Sequence, residues 1–564
     1  MRNNRIRPWG EPCYFLCFRW SEEHLEGGFG CIINAFGMGA TMKRKLTRRG
    51  ANRGAVLIIA MVFVVLFATL AVSLCSIAGT NAQVASNQHK VNSALYAAQS
   101  GLECAKRITA NVTLDATNSN VVSDTQANEA WLDFCSQVPA LDGQTFSSFT
   151  DADGSGIVTG PINFGSPNVS FRLRFYRYNS DPNTIKFEAI GSSNEITRTI
   201  GMDMEIRKDA SVLQYAIASR GRMWVTGDST IYGDIYSSWD RPEISPFDIT
   251  ADSRIEGTIN TVLTEEEIES DHSPYDDYQF DDNNEPNCVI RGYHEGINYD
   301  QLDQTNIPGM SISDYDTDGY NNSSSLTPLW LSGTTVTEYF PHAAGNYNQP
   351  GPSGGTSFTR HVYDGGTFSN YKVSPGTHAL FRNCTFQNVL YIDCYKSSTS
   401  TKSYCNNVRF ENCTFTGTII TDVPQPFNWQ RNCLYFTGTA TFDNISGYQE
   451  ATILAPHFNV NLGNTNPEQS DNNVLTGAIV GGIVDVRGNA QINGTIISMF
   501  DTSAYSSGYV TNIGATLIDG GTETTELGDI GIIEITPDPD NMLPSGIRSP
   551  IVIKPLFDTY CEGI

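Results

Sequence analysis

From Ala55 to Ile77 almost every residue is apolar or small, and no Asp, Glu, Lys or Arg occurs until Lys90. A hydrocarbon core of about 30 Å is crossed by roughly 20 such residues rising 1.5 Å each. The run is therefore long enough to span a membrane. Its pattern does not stop there: Ile77, Val84, Val91, Leu95, Ala98, Leu102 and Ala105 recur at spacings of seven, four and three, which is one apolar stripe on a helix. No proline interrupts Ala55–Ala110. The pattern predicts one continuous helix of roughly 84 Å, lipid-compatible in its first half and amphipathic in its second.

Lys43, Arg44, Lys45, Arg48, Arg49 and Arg53 precede the apolar run. Positive residues stay on the cytoplasmic side, so the N-terminus is expected inside and everything beyond about Ala78 outside. A cleaved secretory signal would have an apolar region of only about 7–15 residues. A lipoprotein signal needs a small residue before its cysteine, and Leu74 precedes Cys75. Residues 1–41 match neither the leader nor the exported part. Met42 opens MKRKLTRRGANRG, so translation is expected to start there, with Cys13, Cys17 and Cys31 absent from the product.

A basic leader ending in Gly54, an apolar run and the patch Ala94-Leu-Tyr-Ala-Ala-Gln-Ser-Gly-Leu-Glu103 together resemble the N-terminal region of PilX-like type IV pilus minor pilins. The resemblance implies that a prepilin peptidase of the membrane cuts after Gly54 and that Ala55 becomes the mature N-terminus. It also implies that the helix packs beside other pilins or pseudopilins. Two positions depart from the family. Ile59 stands where most pilins carry Glu, and Ala55 stands where Phe is usual. A carboxylate at the former position would meet a neighbouring amine in an apolar filament core, where an unpaired charge is costly. Its absence points to a minor or accessory subunit rather than a self-polymerising one.

Of 35 basic and 61 acidic residues, 10 and 4 lie in residues 1–54, leaving −32 for the remainder. That balance excludes nucleic acid as a partner, since phosphate contacts need Lys and Arg. Cys104, Cys135, Cys288, Cys384, Cys394, Cys405, Cys413, Cys433 and Cys561 lie beyond the membrane run, where oxidising conditions favour pairing. Cys104 and Cys135 are the first disulfide candidate; closing that loop is worth about 3–4 kcal/mol in the chain-entropy model.

Residues 111–208 read as a small α+β head, with a short helix at 127–138. Period-two strands follow at 169–178, 184–190 and 196–202, with a turn through Pro182. Beyond it the chain repeats itself. Gly227-Asp-Ser-Thr-Ile-Tyr-Gly-Asp-Ile-Tyr-Ser237 recurs from Ala251 to Thr261 and again from Gly488 to Ser498. Phe381-Arg-Asn-Cys-Thr-Phe386 recurs as Phe410-Glu-Asn-Cys-Thr-Phe415. Short strands with inward Ile or Phe, ended by Gly or Asn, are the pattern of a right-handed parallel β-helix; a β-sandwich also permits it. Coils are expected at 209–262 and 360–500, interrupted by an irregular acidic insertion at 263–359 and closed by a cap or tail at 501–564. Cys384 and Cys413 occupy equivalent repeat positions, so they either stack as small apolar residues or join as a disulfide.

Asp314, Asp316 and Asp318, followed by Gly319, have the alternate spacing of a calcium loop; Ser325 replaces its closing Glu. Asp151 and Asp153 form a weaker match, and the acidic run from Glu265 to Asp282 reads as a solvated loop. No cofactor other than calcium is indicated. Polysaccharide-cleaving β-helices need clustered carboxylates, whereas Asp393, Asp443 and Asp485 are scattered among the coils. The expectation is a non-enzymatic minor pilin of the inner membrane. Its exported part would lie in the periplasm or on the cell surface, displaying a structural or adhesive module toward a surface glycan or neighbouring cell. A tethered carbohydrate-binding protein or polysaccharide-degrading enzyme is the alternative.

Overall fold

The computed structural model describes residues 53–563 except 113, 142, 243–244, 251, 271–289, 291, 302–306, 323–324, 340–356, 396–401, 425–431, 443–450, 463–471, 501–508, 515–516, 519–521, 524–531 and 539–540. The Met42 start, most of the basic leader, Cys13, Cys17, Cys31, Cys288, Asp443 and the acidic run after Ser270 lie outside the described residues. Helix α1 runs Arg53–Asn111. Two compact units are distinguished, Met1–Val84 and Ala85–Ile564. The first contains the apolar part of α1, whose large side chains from Val56 to Val84 are exposed.

The second unit holds a head and a solenoid. In the head, α2 (Asp124–Gln137) is started by Ser123, whose hydroxyl meets the Gln126 N–H while the Gln126 side chain returns to the Ser123 backbone. Two otherwise orphaned donors are satisfied in this way. Antiparallel strands Phe146–Thr150, Gly154–Thr159, Ser166–Tyr178, Asp181–Ser193 and Ile196–Lys208 follow in order. The turn expected through Pro182 lies one step earlier, at Asn179 and Ser180, and Pro182 sits at the start of the next strand, where a missing N–H is tolerated. The expected C-terminal tail is also corrected. Within it Ser549–Gly563 form a 15-residue strand of the head, paired antiparallel with Ile196–Lys208 (Ile551 beside Lys208, Ile553 beside Ile206). Ile551 and Ile553 enter the head core.

Between those two neighbouring strands the chain builds a parallel β-helix with three strand faces. On one face the inward residues stack as Tyr363, Phe381, Phe410 and Phe436. On the second they run Phe368, Phe386, Phe415 and Phe442, with Ile492, Ile535, Ile231 and Ile255 farther along. The third is a ladder of Leu390, Ile419, Ile453, Ile479, Ile496, Ile217, Ile235, Ile259 and Ile297. Adjacent parallel strands lie about 4.8 Å apart, so identical side chains meet face to face.

The order of the ladders departs from the order of the chain. Coils from residues 215 to 261 stack on the coil that ends at Ser498, with Ile496 beside Ile217. One coil is composite: Tyr509–Ile513 and Ile533–Thr536 supply two of its faces and Tyr215–Ser219 the third. The two stretches expected as successive blocks are therefore stacked in reverse sequence, the second before the first. What reads as an acidic insertion is in its described part a strap. It leaves the ladder at Ile297 and rejoins at Thr327–Pro328, at the opposite end, beside Tyr371 and Lys372. On the way Ile307, Met310 and Tyr315 pack with Tyr391, Ile420, Leu454, Val480, Ile497 and Tyr236, the outward residues of the third face.

Candidate functional site

The second half of α1 lies on the head sheet through small side chains. Ala94, Ala97, Ala98, Leu102, Ala105 and Ile108 are buried, whereas Tyr96, Gln99 and Glu103 face outward. The contact is close on both sides and requires glycine at Gly191. A Cβ on Gly101 would lie 3.1 Å from side-chain atoms of Ala189, Leu173 and Phe171. A Cβ on Gly191 would lie 2.0 Å from the Ala94 carbonyl oxygen and 2.5 Å from the Ala98 nitrogen. The Ala-rich patch is thus occupied by the chain's own head. Only Val91 onward of the predicted stripe is covered; Ile77 and Val84 remain exposed. Glu103 pairs with Lys106 one turn on, at 2.8 Å. Ile59 is exposed on the apolar half. Gly54 and Ala55 fall at the start of α1.

Residues 53–103 match the family model described as PilX N-terminal, a stretch that begins with α1 and ends at the outward Glu103. The N-terminal region is that of a PilX-like type IV pilin. Its apolar helix has the length and composition of a single-pass membrane anchor. Among solved structures, the competence-associated pilin ComZ from Thermus thermophilus is similar at 11% identity and a TM-score of 0.26, over 84% of this chain and 97% of that chain. No curated protein matches the chain.

Outside the PilX-like region, the candidate calcium loop does not form. Ser311 precedes a short 3₁₀ turn Ile312–Asp314, and Asp318–Asn321 is a helical turn, so the three carboxylates do not converge. Asp314 Oδ2 accepts the N–H groups of Gly309 (3.0 Å) and Ser311 (3.2 Å), while Asp316 Oδ1 accepts the Asp318 N–H. Burial raises the Asp314 pKa despite those donors. These residues fasten the strap, with the Arg548 N–H donating to the Asp314 carbonyl and the Asp316 N–H to that of Gly546. Asp151 likewise accepts the Tyr176 hydroxyl and the N–H groups of Asp153 and Gly154. Among the described residues no group of three or more His, Cys, Asp or Glu is placed to hold a metal.

Cys104 and Cys135 both lie against the head core and stand as free thiols, as do Cys384 and Cys413. Burial pushes the Cys135 thiol up to about 12, with Arg177 acting in the opposite sense. Asp393 is paired with Lys372 at 2.7 Å. Asp485 lies 3.4 Å from Arg487 and accepts the Asn512 amide. Sequence reasoning missed a polar girdle on the first face, where Glu338 joins Arg360 and Arg409, and Arg409 reaches Glu411. Alternation of Arg409 and Glu411 with Phe410 was its one local signal.

Proposed function

We propose that this protein is a minor or accessory subunit of a type IV pilus or a type II secretion-like machine, anchored by α1 and displaying the β-helix outside the cell. The observation that carries the reading is the PilX-like match over 53–103, on a helix whose apolar half is exposed among the described residues. Ile59 leaves that half without the carboxylate that a shaft subunit uses, which favours a minor position beside other pilins. A prepilin peptidase is the processing enzyme, acting between Gly54 and Ala55. The N-terminus is cytoplasmic, the anchor lies in the inner membrane, and the head and solenoid are periplasmic or on the cell surface.

The β-helix acts in this reading as a structural or adhesive module and not as an enzyme. Asp393 and Asp485 are each occupied by a cation, an arrangement suited to holding strands rather than moving protons. The partner class is a surface glycan or a neighbouring cell. Gly54→Ala is the test. Mass measurement should show the leader retained, and the protein should disappear from sheared filaments while remaining in the membrane. Normal processing of this variant would overturn the assignment of the cleavage site.

A further inference from the structure

We propose that Cys384 and Cys413 are joined by a disulfide inside the solenoid, stapling two neighbouring coils. The residues flanking them are in parallel register on both sides, Arg382 beside Glu411 and Thr385 beside Thr414. The two cysteines therefore sit at one corner of successive coils, at the strand spacing of about 4.8 Å. Disulfides span Cα separations of about 4.4–6.8 Å. Each cysteine follows an asparagine in the same left-handed conformation, Asn383 at φ 53° and Asn412 at φ 52°. The two Cα–Cβ bonds accordingly point the same way, into the core. Both side chains are buried, 1% and 2% exposed, in the same hydrophobic core cluster.

The surrounding ladder isolates the pair. Ala440 occupies the position next to Cys413, and Gly366 the one next to Cys384, so no third thiol competes in this column. Cys405 and Cys433 belong to a separate cluster with Phe358. As thiols, the two reach carbonyl oxygens: Cys384 those of Arg382 (3.2 Å), Tyr363 (3.5 Å) and Gly365 (3.7 Å), and Cys413 those of Phe381 and Glu411, each at 3.5 Å. These are weak contacts for a weak donor.

Bond formation converts two thiols and one exchangeable disulfide into the Cys384–Cys413 disulfide and two released thiols. The two protons and two electrons leave with the released thiols. Exchange proceeds through a thiolate on an accessible sulfur, so it takes place while the coils are assembling. The inference rests on the exported placement proposed above only for the supply of that oxidant.

The test is peptide mapping of the full chain isolated from membranes, with free thiols alkylated under denaturing conditions before digestion. A peptide containing both Cys384 and Cys413 without reductant, and its loss in Cys384→Ala with Cys413 becoming alkylated, is the expected result. Alkylation of both residues in a sample where other cysteines are linked overturns the proposal. If every cysteine is reduced, the export reading fails, and refolding with reduced and oxidised glutathione decides the geometry. The linked peptide then supports the pair, and its absence overturns it.

Discussion

Gly191 shows how one missing Cβ sets the distance between the pilin helix and its head. The two atoms it would strike belong to the helix backbone at Ala94 and Ala98, so no side chain can rotate aside. Gly191→Ala should lift α1 from the sheet and cost about 1–3 kcal/mol, read as a lower denaturant midpoint with the slope unchanged. The Ala-rich patch on the helix was legible as a motif, whereas Gly191 was one glycine among many, because its partner lies across the fold and not along the chain. Asp485 makes a second residue-scale case. Burial raises its pKa, against the opposing pull of Arg487 and Asn512. A carboxylate with a raised folded pKa favours the folded state when protonated. Its stabilising effect is therefore full below the ordinary carboxylate value and is lost as pH rises through the folded pKa. Asp485→Asn removes that loss, so the stability of the variant relative to the parent should climb from acid toward neutral pH. A flat difference across that range would contradict the shift.

Among elements, the aromatic column is where sequence and packing agree most closely. Phe386, Phe415 and Phe442 stack with centroids 4.9 and 4.3 Å apart and nearly parallel rings. The repeated Asn-Cys-Thr-Phe sets two of these rings, Phe386 and Phe415, at equivalent positions, and they pair in register. Phe415→Ala should cost about 3–5 kcal/mol, because the coils above and below hold the cavity open. Phe415→Leu should recover much of that in the same urea titration. The strap is the opposite case. Ile419-Ile420, Ile453-Leu454, Ile479-Val480 and Ile496-Ile497 put apolar residues on both sides of their strands. Such doublets signal a strand buried on both faces, yet they do not say what covers the outer one. Residues 307–322 looked irregular because their regularity is borrowed from the strands beneath. Of the three aspartates within them that read as ligands, Asp314 and Asp316 accept backbone N–H groups of the turns.

For the whole molecule, the decisive fact is that the solenoid is an insertion in the head. Its order was not readable, since Ile492 and Ile231 occupy the same position of similar repeats that could have stacked directly. The composite coil between them is built from Ile533–Thr536 and Tyr215–Ser219, neither of which carries the repeat. The points where the chain leaves and re-enters the head are nonetheless in contact. The Asp209 N–H donates to the Pro550 carbonyl at 2.8 Å, and the Ser549 hydroxyl donates to the Asp209 carbonyl at 2.7 Å. Lys208 and Ile551 form the next registered pair. Deleting residues 210–549 and joining Asp209 to Pro550 through an Asn-Gly dipeptide should therefore close an ordinary two-residue hairpin. The product is expected to be a pilin-sized head on α1, with one cooperative melting transition. A chain stopped after Lys208 lacks Ile551 and Ile553, two residues of the head core, and should show no such transition and be cleaved rapidly by protease. If the stopped chain folds as well as the joined one, the C-terminal strand is dispensable and the insertion topology has no energetic consequence.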